Sequence, residues 1–283
     1  MAVVALTSAK GAPGVTTTAL AFALLWPRPV VLVEADVAGG SSVLAGYLRG
    51  GIPHSRSVLA LALAHRQGHL DEELWRQTVS LDESGHRCLI PAIADPVQAA
   101  SLAPVWAPLA TAFASLERDG VDVIVDAGRL GSAYGPDALI RQADAVLLLT
   151  RSQLPAVAAA RSRAVGLREQ LSVGGTGADR LGLLLVGDGR PYTAREIAKA
   201  VGVPVVASIA WDPAAADVLS VGAERPRRWE QSALLRSART AAETTLTLVG
   251  QRRSALDLEP TPDRDTSVLD GFAGAMTDGR STP

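Results

Sequence analysis

The chain has 283 residues and a hydrophobic content of 48%, which is enough apolar surface for one large domain or two small ones. Its formal net charge of −2 excludes a global electrostatic attraction to nucleic acid or to an anionic membrane. Cys88 is the single cysteine, which excludes an intrachain disulfide and a cysteine-based zinc site.

The apolar runs are all shorter than the ~20 residues of a membrane span. The first of them is followed by Lys10 and Gly11, where a secretory signal would continue its apolar core. We therefore expect a cytoplasmic protein without a transmembrane segment.

Short apolar runs rich in β-branched residues alternate with helical patterns rich in alanine and leucine. The predicted strands cover residues 2–6, 30–34, 88–90, 121–126, 145–150, 181–186 and 205–209. The predicted helices cover residues 17–26, 58–65, 102–118, 154–171, 193–201 and 229–249. Strands that are apolar throughout are typical of a sheet covered on both faces. The pattern predicts an α/β fold with a doubly wound, mostly parallel sheet and helices on both faces.

The composition changes after about Gly250, where scattered acids, prolines and small residues replace the helical pattern. We interpret residues 1–250 as the folded domain and residues 251–283 as a disordered tail. Within that tail, residues 269–276 are either a short docking segment or, the interpretation we prefer, a featureless part of the tail.

The loop after the first predicted strand has a pattern typical of phosphate binding. Residues 7–18 read TSAKGAPGVTTT, a glycine-containing loop between a strand and a helix. Backbone N–H groups in such a loop, together with a helix N-terminus, hold phosphates. Compared with the P-loop pattern G-x-x-x-x-G-K-[ST], Thr16 occupies the magnesium-binding position and Val15 replaces the lysine. Lys10 is one of only two lysines in the chain. The loop alone leaves an ordinary surface turn as the alternative.

Three acids follow predicted strands at the edge where parallel sheets bind ligands: Glu34, Asp36 and Asp126. A carboxylate beside a terminal phosphate can position the attacking water, and Mg²⁺ prefers oxygen ligands. The alternative is that these acids only cap junctions between strands and loops.

Together these segments resemble the MinD/ParA family of deviant Walker A P-loop ATPases, nearest its CpaE/TadZ branch. The family loop K-G-G-x-G-K-T-T is similar to residues 10–17, with Ala12 and Val15 in place of the second glycine and the second lysine. Residues 31–37 resemble the family D-x-D motif, and residues 121–126 resemble its Walker B strand. The resemblance extends in order from about residue 2 to 240 and implies a SIMIBI-like P-loop NTPase fold.

The resemblance implies ATP and Mg²⁺ as cofactors. It assigns catalytic roles to Lys10, which would reach the phosphates of a partner subunit, and to Asp36, which would position or deprotonate water. It assigns the magnesium ion to Thr16, Asp36 and Asp126. The residues that would surround the phosphates are Gly11, Ala12, Pro13, Gly14, Val15, Thr16 and Thr17. On the base side, Gly187 and Asp188 replace the family's adenine-reading asparagine, and Pro213 belongs to a D-P turn beside the base.

The resemblance also implies a homodimer whose formation depends on ATP and which localises a Tad/Flp pilus or secretion machinery. The partner would be a secretion or pilus ATPase or a polar protein, which could recruit the chain to the membrane or the cell pole. Because Val15 carries no charge, we expect weak ATP affinity and slow or absent hydrolysis.

Three alternatives stay open: a non-hydrolysing scaffold, a ParA-type DNA-partitioning ATPase, and an unrelated α/β enzyme for another phosphorylated ligand. Nonspecific DNA binding is the less favoured role. The arginines that would carry it alternate with acids on what we interpret as a solvated helix face: Arg225, Arg227, Arg228, Arg236 and Arg239.

Overall fold

The computed structural model describes residues 1–10, 13–172 and 177–255. Within them eight strands form one sheet: β1 Val3–Ser8, β2 Val30–Glu34, β3 Val79–Ser80, β4 Arg87–Ile90, β5 Asp122–Arg129, β6 Ala145–Arg151, β7 Leu181–Val186 and β8 Val205–Ile209. The strand order is β3-β4-β2-β5-β1-β6-β7-β8. Every neighbouring pair is parallel except β3 with β4. The predicted mostly parallel, doubly wound sheet is confirmed.

The described helices are α1 Val15–Leu25, α2 Val58–Gln67, α3 Leu70–Arg76, α4 Trp106–Ser115, α5 Asp137–Gln142, α6 Leu154–Ser172, α7 Ala194–Val201, α8 Pro213–Ser220 and α9 Ala233–Ala255. Short 3₁₀-helical segments cover Pro96–Leu102, Leu116–Asp119, Ala178–Arg180 and Trp229–Gln231, and a π-helical segment covers Val43–Tyr47. In this part of the chain no single helix is both long and apolar enough to cross a membrane. The bent pair Pro96–Leu102 and Trp106–Asp119 meets those two criteria when taken together.

The sheet separates two apolar cores, which explains why its strands are hydrophobic at every position. In β1, Val3 and Ala5 belong to the core under α2 to α7. The alternate residues Val4 and Leu6 belong to the core under α1, α8 and α9. Successive side chains of a strand point to opposite faces, so both faces of β1 are covered by helices.

The predicted helix 102–118 is wrong in its extent, because the structure divides it. Pro96–Leu102 forms a 3₁₀ turn, α4 begins only at Trp106, and a second 3₁₀ turn follows α4. Pro104 lies at the break, and a proline has no N–H to continue a helical hydrogen-bond ladder. Gly120, with φ of 68°, ends the second 3₁₀ turn.

Helix α9 extends to Ala255, so residues 251–255, which we assigned to the tail, are helical. Two arginines explain this extension. Arg252 donates to the Asp179 carboxylate over 2.8 Å and to the Asp144 carbonyl over 2.9 Å. Arg253 bonds the carboxylates of Asp144 and Glu117. The rest of the predicted tail, residues 256–283 with its segment 269–276, lies outside the described residues.

Candidate functional site

The carboxyl ends of three neighbouring strands bring the predicted site residues to one edge of the sheet. Asp126 in β5 pairs with Leu6 of β1 on one side and with Glu34 of β2 on the other. Helix α1 starts beside them because Gly14 adopts a left-handed conformation with φ of 99°, which a residue without Cβ accepts easily. Gly11 and Ala12 lie outside the described residues.

Asp126 and Thr16 are in direct contact. The Thr16 hydroxyl, in the first turn of α1, donates to the Asp126 carboxylate, and the Gly128 N–H donates to the same carboxylate over 3.0 Å. Asp126 is only 1% exposed. Burial raises the pKa of Asp126 to about 6, and the nearby Asp36 charge acts in the same direction against the two hydrogen bonds.

Asp36 lies directly over the backbone of Gly128. A Cβ on Gly128 would be 2.2 Å from the Asp36 Cγ, and Gly128 has φ of +58°, so only glycine fits there without strain. The Asp36 carboxylate accepts the Ala38 N–H over 2.9 Å, and Thr7 donates to the Gly128 carbonyl over 3.1 Å. We did not predict a role for Gly128. Its position two residues after the strand-ending aspartate is the sequence signal that could have found it.

Glu34 uses its carboxylate inside the protein. It accepts a hydrogen bond from the Ser41 hydroxyl and longer ones from the N–H groups of Val43 at 3.3 Å and Ala92 at 3.4 Å. Burial, opposed by these bonds and reinforced by Asp126, raises the pKa of Glu34 to about 7. The glutamate in the D-x-D-like segment therefore holds the loop after β2 in place.

The oxygen atoms at this edge suit a magnesium ion that also binds phosphate. Among the described residues, no three His, Cys, Asp or Glu side chains are arranged to hold a metal by themselves. Mg²⁺ usually takes one or two carboxylates and completes its shell with water and substrate phosphates. Thr16 and Asp126, with Asp36 beside them, present such a partial set of ligands in a buried place that otherwise penalises negative charge.

The loop residues divide into packing and exposed groups. Val15 is only 7% exposed and packs in the core under α1, where the family lysine would stand. Pro13 is buried, whereas Thr17 is half-buried in the first turn of α1. Lys10 is exposed at the end of β1, beside a cavity of about 370 Å³. Within the described part of the chain, Lys10 has no ion pair with Asp36 or Asp126, so the structure does not bring the two predicted catalytic residues into contact.

The predicted base-side residues lie at the ends of β7 and β8. Gly187, with φ of +76°, donates its N–H to the Ile209 carbonyl over 2.9 Å. The Asp188 carboxylate accepts the Ala194 N–H over 2.8 Å and so caps the start of α7. Pro213 is the first residue of α8. Strand β7 lies two positions from β1, which is roughly 10 Å at the usual strand spacing.

Trp211 is a residue on this side that we did not predict. The residue is 42% exposed, and the guanidinium of Arg151 lies 4.9 Å from the ring centroid. A Cβ on Gly187 would be 3.6 Å from the Trp211 Cβ, so the two residues adjoin. A tryptophan directly before the Asp-Pro pair is the sequence signal that could have indicated an aromatic surface here.

One arginine of the cluster that follows α8, Arg225, packs against aromatic side chains of the same chain. The Arg225 guanidinium lies 4.7 Å from the Trp229 ring centroid and 5.8 Å from that of Tyr47, and it donates to the Tyr47 hydroxyl over 3.0 Å. These contacts hold Arg225 against aromatic side chains, a geometry typical of structural cation–π pairs.

No family model and no curated protein sequence matches this chain. Solved structures do. The ParA family ATPase of Chlorobium tepidum TLS is 19% identical, over 86% of this chain and 98% of that one, with a TM-score of 0.68. MinD of Pyrococcus horikoshii OT3, complexed with Mg-ADP, is 16% identical over 89% and 98%, with a TM-score of 0.65. The Cyanothece McdA(D38A)–ATP complex is 18% identical over 93% and 99%, with a TM-score of 0.54. These similarities show that the chain has the fold of the MinD/ParA P-loop ATPases.

Proposed function

We propose that the chain binds ATP with Mg²⁺ at the carboxyl edge of the sheet and works as a nucleotide-dependent dimer switch in positioning. One observation carries this proposal: the Thr16 hydroxyl meets the buried Asp126 carboxylate beside Asp36. The N-terminus of α1, which starts one residue before Thr16, has no side-chain cap and no acid in its first turn. Its N–H groups and dipole are therefore available to phosphate.

Each residue then has a defined role. The N–H groups around Gly14 and α1 hold the phosphates, and Thr16 and Asp126 hold the magnesium ion. Asp36 orients the attacking water, and Lys10 supplies positive charge. Bound Mg²⁺ neutralises charge that develops on the phosphates. Because Val15 is uncharged and packed in the core, affinity is weak and hydrolysis is slow.

The structural neighbours support the choice of ligand and of a switch. One neighbour is a Mg-ADP complex, another is an ATP complex, and a third is a complex of MinC with MinD from Aquifex aeolicus. By analogy, the bound nucleotide governs formation of a homodimer and, through it, association with a partner.

The cargo we propose is a Tad/Flp pilus or secretion machinery. The support is a further sequence resemblance: residues 153–161, where α6 begins, are similar to the corresponding helix start of the CpaE/TadZ branch. Val15 favours the second candidate, a scaffold that keeps the fold without hydrolysis. DNA partitioning is less favoured, because Arg225 is held against Tyr47 and Trp229.

The direct test is equilibrium binding of a fluorescent ATP analogue with and without Mg²⁺. We expect Lys10→Ala to weaken binding about tenfold, the loss of roughly one charge-assisted contact. Asp126→Asn should abolish the effect of Mg²⁺ on affinity. Lys199→Ala removes the other lysine, which is exposed on α7, and should bind as the wild type does. A wild-type chain that binds no ATP, or that binds it equally with and without Mg²⁺, contradicts the proposal.

Light scattering separates the switch from the scaffold. A switch changes from monomer to dimer when ATP and Mg²⁺ are added, whereas a scaffold keeps one oligomeric state in all nucleotide conditions. Fluorescence localisation beside a labelled pilus ATPase then tests the cargo. A diffuse signal that ignores the presence of the pilus genes would contradict the positioning role.

A further inference from the structure

Three cations from three different elements surround one cavity next to the site. Lys10 follows β1, Arg129 ends β5, and Arg163 projects from α6. The cavity has a volume of about 370 Å³, within the ~300–1,000 Å³ that small-ligand sites occupy. Its remaining lining residues are small or apolar: Ala9, Leu130, Gly131, Ala159 and Ser162. Among the described residues, no acid lines this cavity.

The positive charge of the cavity is not balanced inside the described part of the chain. There, neither Lys10 nor the side chains of Arg129 and Arg163 form an ion pair. Other arginines of the chain have carboxylate partners, for example Arg28 with Asp122 and Arg87 with Asp82. Three like charges facing one space repel each other, and an anion that enters relieves this repulsion.

The backbone fixes this cavity beside the proposed phosphate site. Arg129 pairs with Ser8, and the Leu130 N–H donates to the Ser8 carbonyl over 2.9 Å, which ties the end of β5 to the strand that leads to Lys10. Gly131 allows the Arg163 guanidinium to approach, because a Cβ there would be 3.2 Å from its Nη2. Arg129 follows directly after Gly128, on which Asp36 lies. The carboxylates of Asp126 and Asp36 and the cationic cavity therefore lie next to each other along the last residues of β5.

We propose that Arg129 and Arg163, together with Lys10, bind the terminal phosphates of the nucleoside triphosphate. This inference rests on the proposed function and adds two binding residues to it. Guanidinium groups bind phosphate oxygens in a bidentate manner, so the two arginines supply the charge that Val15 does not. The nucleotide is held either by the same chain or by a second copy whose phosphates enter the cavity.

The test measures binding of ATP, ADP and inorganic tripolyphosphate to the full chain. Arg129→Gln and Arg163→Gln should each weaken ATP and tripolyphosphate binding about tenfold, and ADP binding less, because ADP lacks the terminal phosphate. Arg161→Gln is the matched control: it removes an exposed arginine of α6 that does not line the cavity and should change affinity less than twofold. Unfolding temperatures verify that all variants are folded.

The outcomes distinguish this inference from the proposed function. Wild-type affinity for ATP in both arginine variants overturns the inference and leaves the proposed function standing. A wild-type chain that binds neither ATP nor tripolyphosphate overturns both. Loss of binding to a short DNA duplex in the arginine variants, with ATP binding unchanged, assigns the cavity to nucleic acid and overturns the inference.

A mixing experiment identifies which copy holds the nucleotide. One subunit carries Asp126→Asn and lacks the magnesium ligand, and the other carries both Arg129→Gln and Arg163→Gln. If the arginines act on the nucleotide of a second copy, the mixture regains one complete site and ATP affinity rises toward that of the wild type. If they act within one chain, neither subunit is complete and the mixture binds as poorly as its components.

Discussion

Strand β5 carries two buried aspartates with opposite surroundings, Asp122 at its first residue and Asp126 four residues later. At the amino end, Asp122 is 0% exposed and accepts hydrogen bonds from the Ala2 N–H at 2.6 Å, the Trp26 indole at 2.7 Å and the Arg28 guanidinium at 2.8 and 3.1 Å. Toward the carboxyl end, Asp126 accepts bonds from one hydroxyl and one N–H and has a second carboxylate nearby.

This difference shows at which aspartate the protein itself supplies the positive charge that a buried carboxylate needs. Burial raises the pKa of both aspartates, but at Asp122 the Arg28 charge opposes the rise. At Asp126 the neighbouring charge is that of Asp36, which has the same sign and adds to the rise. At Asp122, the protein itself supplies the hydrogen bonds and the positive charge that stabilise the buried carboxylate. At Asp126, a bound cation would stabilise the carboxylate, and the described residues do not provide one.

The largest effect on stability is expected for Asp122→Ala. The substitution leaves the Ala2 N–H and the Trp26 indole without their acceptor and Arg28 without its ion pair. Breaking a buried charged network in this way costs about 3–5 kcal/mol of unfolding free energy. Urea unfolding measures it, with the exposed Glu72→Ala as the control, expected within about 0.5 kcal/mol of wild type. A loss below about 1 kcal/mol would contradict a stabilising role of the hydrogen bonds that Asp122 accepts.

The second largest expected effect on stability is a pH dependence of the free energy of unfolding that is caused by Glu34. Its pKa rises from 4.5 to about 7 on folding, so between these values the folded chain binds more protons than the unfolded chain. The contribution of Glu34 to the free energy of unfolding is therefore complete below pH 4.5 and decreases as the pH rises to about 7, by on the order of 3 kcal/mol. Glu34→Gln imitates the protonated acid. It should exceed the wild type by less than about 1 kcal/mol at pH 5 and by on the order of 3 kcal/mol at pH 8.

Unfolding in Mg²⁺-free buffer at both pH values measures this difference. Glu72→Gln is the control, because its carboxylate is exposed and should give the same difference from wild type at pH 5 and pH 8. Equal stabilities of Glu34→Gln and wild type at pH 8 would indicate that Glu34 keeps its charge at no cost, contrary to its burial.

The sequence predicted the sheet well because its signal is local. A strand covered on both faces is apolar throughout, and β2, β7 and β8 begin and end at the predicted residues. The helix signal failed where proline interrupts an apolar run, as at Pro104. The six-residue extension of α9 beyond the predicted Val249 depends on ion pairs with distant residues. Such contacts are set by the tertiary fold and leave no periodic pattern.

The sequence indicated which types of residue lie at the candidate site, but not which contacts each of them makes. The loop pattern assigned Thr16 and the strand ends assigned Asp126 to the same edge of the sheet, and the structure brings these two side chains together. The sequence did not show that Asp188 caps α7 or that Glu34 is enclosed by backbone N–H groups. It also gave no reason to select Arg163, because α6 brings that residue beside Lys10 only in the folded chain.

Gly128→Ala should have an intermediate effect, at the open end of β5. A left-handed conformation costs a residue with Cβ about 1 kcal/mol, and the contact with the Asp36 carboxylate adds to that. We expect a loss of roughly 2 kcal/mol in urea unfolding together with displacement of Asp36. Gly131→Ala, also at a glycine with positive φ, is the comparison, because its new Cβ would meet the end of a flexible arginine. A free energy of unfolding of Gly128→Ala equal to that of the wild type would contradict the close contact between Gly128 and Asp36.

Thr16→Val should have the smallest effect on stability and the clearest effect on ligand binding. Losing one hydroxyl that donates to Asp126 costs about 1 kcal/mol, and Thr16→Ser, which keeps the hydroxyl, should cost less. If Thr16 is also a magnesium ligand, ATP affinity in Thr16→Val becomes independent of Mg²⁺, whereas Thr16→Ser retains the wild-type dependence. Titration calorimetry with and without Mg²⁺ measures both. Retention of the full Mg²⁺ effect in Thr16→Val would place the cation away from the contact between Thr16 and Asp126. The two buried aspartates of β5 would then differ only in the number of hydrogen-bond donors around them.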